Sequence, residues 1–239
     1  MEQPNSPATG QVDLRDCIDQ LLKFVLESHI DKTLELDIGL SRDYCCNLLR
    51  EDSRDQGGVP PSPSYKRLAL LLHELITGMK LCGTSGAAWR EMLADKGSEL
   101  LDVFKAINFE LHVQEPYFTQ LKDGLKTIEG RCATGNYKRI AAGALILFNK
   151  CLVLEVEQDV HSYNSFSEML VAEGLQNVLP GVKTTEEGVS VYRNFYTEEK
   201  ERSNGVVAIG VTKPASQPYN ILASIISKLS YSGIESILS

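Results

Sequence analysis

The stretch Lys126-Thr127-Ile128-Glu129-Gly130-Arg131 gathers the side chains of this chain best suited to chemistry. Its alternation marks a strand, and successive side chains of a strand point to opposite faces. Thr127, Glu129 and Arg131 are therefore predicted on one face, with Ile128 toward a core. A hydroxyl, a carboxylate and a guanidinium in a row offer donors and acceptors together. Lys126 precedes the strand, where a flexible ammonium can reach into a cleft, and a carboxylate flanked by two cations is kept ionised. Two readings stand side by side: a strip that faces a ligand, or an internal link from Glu129 to Arg131 or Lys126 that holds a strand edge.

These groups need elements to hold them, and the chain changes period near residue 108. Before it, apolar residues fall at helical spacing: Leu14, Cys17, Ile18, Leu21, Leu22, Val25 and Leu26 form one face over residues 13–29. Ser41 is placed to cap a second helix through Leu49. Residues 51–64, with a Gly pair and several prolines, predict a loop. Helices follow over 65–80 and 87–107, the second expected to break near Gly97. After residue 108 the pattern is mixed. Strands are predicted over 109–115, 126–131, 144–148, 151–160 and 205–211. Short helices are predicted over 117–123, 165–173 and 186–201, and a tail helix over 219–229. The resulting fold class is α+β: an N-terminal helical region, a small, partly open β-barrel with interspersed helices, and a C-terminal helix. The expected divisions are a disordered tail at 1–11, a helical region at 12–108, the barrel at 109–213 and a helical tail at 214–239.

Charge is distributed unevenly. The chain of 239 residues carries −8, which argues against coating nucleic acid by bulk charge. Residues 1–110 contribute −6 of that and residues 111–239 only −2. Within 117–150, the cations Lys122, Lys126, Arg131, Lys138, Arg139 and Lys150 outnumber Asp123 and Glu129, giving +4. Such a run supplies phosphate contacts or forms a solvated face. The 6 cysteines contain no C-x-x-C pair, and the 4 histidines lack ligand spacing. No metal and no cofactor is expected, and the thiols are expected to be reduced. The N-terminus lacks the basic start and apolar core of a signal peptide, and no run approaches the roughly 20 apolar residues of a membrane span. An intracellular location, cytoplasmic or nuclear, is the expectation, with no membrane partner.

The order Tyr117, Phe118, Gly124, then Lys126 to Arg131 as K-T-I-E-G-R, followed by GALILF, resembles the ASCH domain family (activating signal cointegrator homology), as do FSEMLVAEGL and GVVAIGV. The resemblance spans roughly residues 109–213. It departs at Gly143-Ala144, where the family usually has Gly-Asp. The resemblance implies a PUA-like β-barrel and, most directly, RNA binding in a cleft lined by the motif, with Lys126, Thr127, Glu129, Arg131, Tyr117, Tyr137, Lys138 and Arg139 as contacts. A nucleoside is the smaller ligand it allows. Some members resemble amidohydrolases acting on acetylcytidine, and others are described as ribonucleases. For that alternative the catalytic groups are Lys126, Glu129 and Glu173. Glu129 stands where the amidohydrolases have a Thr, so a hydroxyl nucleophile is replaced by a carboxylate able to activate water. A third option is a scaffold that meets a protein partner through its helical region.

Overall fold

A computed structural model describes residues 8–9, 12–50, 63–78, 87–157 and 160–238. The predicted loop at 51–64 lies almost wholly outside the described residues, as do most of the N-terminal tail and the side chains of Trp89 and Met92. In chain order the first elements are β1 (Ala8–Thr9), α1 (Leu14–Asp31), α2 (Arg42–Leu49), α3 (Ser64–Ile76), α4 (Ala87–Lys105) and β2 (Phe109–Leu111). Then come α5 (Tyr117–Lys122), β3 (Ile128–Cys132), a 3-10 helix at Gly135–Arg139, β4 (Leu145–Phe148), β5 (Leu152–Val156) and β6 (His161–Tyr163). The last are α6 (Phe166–Glu173), α7 (Leu175–Val178), α8 (Thr185–Arg193), α9 (Glu198–Asn204), β7 (Val206–Thr212) and α10 (Pro218–Leu238).

The chain forms two compact units. One is centred on Ile107–Ala215 and the other is discontinuous, Gln11–Ala106 with Ser216–Ser239. In the helical unit the predicted face of α1 is buried from Cys17 to Leu26. Asp13 caps α1 by accepting from the amides of Arg15 and Asp16, and Ser41 caps α2 through the amide of Tyr44. Gly97 does not break α4. A Cβ there would lie 3.1 Å from Ile76 Cγ1, so the glycine lets α3 and α4 approach closely.

The helix α10 runs well beyond the predicted 219–229, with a non-helical Ser230 inside it. Among the described residues it is the helix long and apolar enough to cross a membrane by length and composition, although polar residues interrupt its apolar run. Its apolar residues Ile221, Leu222, Ile225, Ile226, Leu229 and Ile234 are buried, and it packs on α1, α3 and α4.

In the other unit, seven strands pair in the order β1-β2-β4-β5-β7-β3, with β6 on β7. The path does not close on itself, so the sheet is open, with β1 and β3 at its ends. β2 and β4 are parallel and the remaining pairs antiparallel. Ala8–Thr9, inside the segment expected to be disordered, pair with Phe109–Glu110. The single helix predicted over 186–201 is two helices, because Thr197 adopts extended backbone and caps α9 through the amide of Lys200. One face of the sheet is covered by a cluster of Phe166, Met169, Leu170, Tyr192, Tyr196 and the strand residues Cys132, Val206 and Ala208. Phe166 stacks on Tyr192 with ring centroids 4.0 Å apart.

Candidate functional site

The register of the β3–β7–β6 ribbon decides which motif residues meet. Gly130 lies opposite Ala208 and Cys132 opposite Val206, and on the far side of β7 His161 is opposite Ala208 and Tyr163 opposite Val206. Directly paired residues share a face, so His161, Ala208 and Gly130 point toward the helices. Glu129 and Arg131 alternate to the other face. Gly130 leaves room for the helix side chains: a Cβ there would lie 2.4 Å from Tyr192 Oη and 2.6 Å from Met169 Cε, so those side-chain ends would have to move.

Glu129 and Arg131 share a face as predicted, but they are not an exposed strip. Lys126, Glu129 and Arg131 are 3%, 6% and 6% exposed. Arg131 Nε donates to Glu129 Oε1 at 2.7 Å, and Lys126 Nζ lies 3.2 Å from Glu129 Oε2. Both internal links left open by the sequence therefore form at once, one on each carboxylate oxygen. Arg131 Nη2 donates to the His112 carbonyl at 2.8 Å. Lys126 Nζ also donates to the carbonyls of Ile128, at 2.6 Å, and Val178. An ammonium has three N–H donors, and all three are engaged.

Two cations share one carboxylate, so the cluster holds one positive charge in excess. Burial disfavours the charged form of Lys126 and lowers its pKa, although Glu129 opposes this. Burial also disfavours the Glu129 anion, but Lys126 and then Arg131 outweigh it and hold the carboxyl below its ordinary value. Arg131 is likewise buried, yet Glu129 holds it above its ordinary value. The phenols of Tyr137 and Tyr196 face Arg131. Burial raises both, and the guanidinium pulls them back. Tyr192 is raised well above the ordinary value by burial and then by Glu129. Tyr117, half-buried, is raised by burial and by Glu129. Tyr192 and Tyr196 were not among the expected contacts. Their four-residue spacing was the available signal, and it marks a shared packing face as readily as a site.

The other predicted residues distribute as follows. Thr127 falls outside the strand and is exposed, its amide donating to the Asn177 carbonyl at 3.0 Å. Tyr137 is fully buried, not available for stacking, while Lys138 and Arg139 beside it are exposed. Glu173 does not join Lys126 and Glu129. Its Oε1 accepts from Tyr163 Oη at 2.6 Å and lies 2.7 Å from His161 Nδ1. Both partners stand on β6, across β7 from β3. Burial and the bond to Glu173 push Tyr163 up to about 12. The +4 segment is not a continuous basic surface either: Lys122 is buried against Asp123, and Lys150 pairs with Glu110 at 3.5 Å. Among the described residues no group of three His, Cys, Asp or Glu could hold a metal ion, and Cys17, Cys45, Cys46, Cys132 and Cys151 are free thiols.

A family model described as ASCH domain matches residues 111–215. Among solved structures, the crystal structure of hypothetical protein PH0355 is 46% identical over 44% of this chain and 97% of its own, with a TM-score of 0.43. The solution structure of protein PF0455 from Pyrococcus furiosus is 45% identical over 45% of this chain and 97% of its own, with a TM-score of 0.40. No curated protein matches.

Proposed function

We propose, from the premise that residues 111–215 make this chain a member of the ASCH domain family, that its PUA-like unit binds single-stranded RNA beside the K-T-I-E-G-R motif. The observation that carries this reading is the 3-10 helix Gly135–Arg139. Its Tyr137 is buried toward Arg131, and its Lys138 and Arg139 are exposed. One short element thus ties two exposed cations to a buried cluster with surplus positive charge. In this reading Lys138 and Arg139 take phosphates and the half-buried Tyr117 offers a stacking surface. Arg131 supplies the field, held in place by Glu129 and the His112 carbonyl. Lys126 serves as a fixed strut, since none of its N–H groups is left to meet a ligand.

Hydrolysis is the weaker reading. Its three groups do not converge, because Glu173 is held by His161 and Tyr163. The engaged Lys126 ammonium also has no lone pair to accept a proton while it stays charged.

Filter binding to single-stranded RNA across a salt series tests the proposal. Neutralising phosphates releases counterions with a slope near −0.7 per contact on single strands, so the double variant Lys138→Ala with Arg139→Ala should flatten the slope by about 1.4. Absence of binding, or an unchanged slope in the double variant, overturns it. Conversion of acetylcytidine by the purified protein, abolished by Lys126→Ala, would restore the hydrolytic reading.

A further inference from the structure

We infer that His112 is a further base-stacking residue of the sheet unit, presented to an unpaired base by the motif's own arginine. The inference rests on the RNA-binding reading above and adds a contact which that reading does not contain. His112 directly follows β2. Leu111 and Val113 on either side of it are buried, while its own side chain is exposed. Among the described residues its ring has no hydrogen-bond or ion-pair partner.

The backbone beneath that exposed ring is held at every carbonyl. The Leu111 carbonyl accepts from Asn149 N–H at 3.0 Å. Val113 N–H donates to Asn149 Oδ1, and the Val113 carbonyl accepts from Asn149 Nδ2, both at 2.8 Å. Between them, the His112 carbonyl accepts from Arg131 Nη2 at 2.8 Å. A hydrogen bond from an ionised donor is the stronger kind. An exposed stretch of chain needs no such anchor, because water satisfies its carbonyls. Here a buried guanidinium is committed to the main chain of one exposed residue. The consequence is preorganisation: a ligand that meets the ring has only the side-chain torsions left to order.

The same guanidinium reaches the element assigned to phosphate. Arg131 hydrogen-bonds the Tyr137 phenol, and Tyr137 is the buried residue of the 3-10 helix that exposes Lys138 and Arg139. One side chain thus fixes an exposed aromatic ring and two exposed cations, the two kinds of group that single-strand binding combines. Tyr117 feels the charge of Glu129, so it belongs to the Glu129 end of the buried pair and His112 to the Arg131 end. A base paired inside a duplex is closed to either ring. The ligand class is therefore RNA with unpaired bases, and duplex RNA is left with phosphate contacts alone.

Filter binding of the full chain tests this with single-stranded oligouridylate, an abasic oligomer of the same length and an RNA duplex. His112→Ala should weaken oligouridylate binding about tenfold, as expected for loss of one base–aromatic stack. Its salt slope should match the wild type, because no phosphate contact is removed. His112→Phe should restore the affinity, which a role through charge or hydrogen bonding would not allow. Removing the bases should weaken binding by about tenfold more in the wild type than in His112→Ala, the coupling expected when base and ring meet. The duplex should bind the wild type and His112→Ala equally. The two readings fail differently. If the wild type binds no RNA, or the Lys138→Ala, Arg139→Ala double variant keeps its slope, the RNA-binding reading falls and this contact with it. If binding depends on Lys138 and Arg139 but is the same in His112→Ala as in the wild type, the stacking role alone is overturned. Failure of His112→Phe to restore affinity overturns it too, as does equal binding of the abasic oligomer and oligouridylate by the wild type.

Discussion

Glu129 sits between two buried cations, and its removal tests how the cluster is held. Glu129→Gln keeps the shape but leaves Lys126 and Arg131 buried without a counter-charge, a situation that typically costs about 3–5 kcal/mol. The same carboxylate sets an acid limit. Its pKa is held below the ordinary 4.5 in the folded chain, so its contribution is fully present above that value and is lost as pH falls through the lower, folded one. Urea denaturation should therefore show wild-type stability declining below about pH 4.5, with a shallower decline in Glu129→Gln. Equal pH profiles would mean that the ion cluster contributes nothing to acid stability. At this scale the sequence was informative about direction and silent about depth. Alternation placed Glu129 and Arg131 together, because period 2 is a property of any strand. It could not show that the strand begins only at Ile128, leaving Lys126 and Thr127 outside. Nor could it show that three charges would be buried, since that depends on what covers them. Glu173 was misplaced for the same reason: its partners His161 and Tyr163 lie on a three-residue strand too short to announce itself.

Elements carry the next level of control, and the β4–β5 hairpin is the clearest case. Asn149 and Lys150 both have positive φ, 47° and 61°, and are the two central residues of a turn closed by Cys151 N–H on the Phe148 carbonyl at 3.1 Å within the three-residue connection, a conformation that Asn tolerates best. The Asn149 side chain then acts as an added piece of strand. Its Oδ1 accepts from Val113 N–H at 2.8 Å and its Nδ2 donates to the Val113 carbonyl at 2.8 Å. This fixes the chain just after β2, where the neighbouring His112 carbonyl receives Arg131. Asn149→Ala loses both bonds and places a Cβ in the left-handed region, so a loss of about 1–3 kcal/mol is expected by thermal or urea denaturation. Asn149→Gly keeps the backbone conformation and should recover part of it. If the two variants are equally stable, the turn conformation is not under strain. The hairpin itself was legible, as turn residues between two apolar runs. The break between α8 and α9 was not. Residues 186–201 have one continuous helical pattern, and only the cap geometry of Thr197 separates them.

At the scale of the whole molecule, the helical pattern of the tail said that one face would be buried but not against what. Periodicity reports a face and carries no address, so the sequential division of the chain missed that residues 216–239 return to the N-terminal helices. The charge arithmetic changes meaning accordingly: counted over the two compact units, the sheet unit carries −4 and the helical unit −4, so the −8 is shared equally and the exposed cations of the sheet unit stand on an acidic background. The return also makes the two units separable by one cut. Ending the chain at Ala215 removes Ile221, Leu222, Ile225, Ile226, Leu229 and Ile234, all buried, from the surface of α1, α3 and α4. Each such side chain contributes roughly 1.5–3 kcal/mol on burial, so the six together contribute about 9–18 kcal/mol, comparable to the roughly 5–15 kcal/mol net stability of a typical domain. The helical unit should then lose its fold, seen as a large drop in helical circular dichroism, whereas Ile107–Ala215 retains strands β2 to β7 and all of the motif. RNA affinity should survive the cut within about threefold, because every residue assigned to binding lies in the retained unit and the deleted segment, with Lys228 and Glu235, carries no net charge. Loss of RNA binding with the sheet intact would place part of the binding surface in the helices, and the assignment of the contacts to Lys138 and Arg139 would then be incomplete.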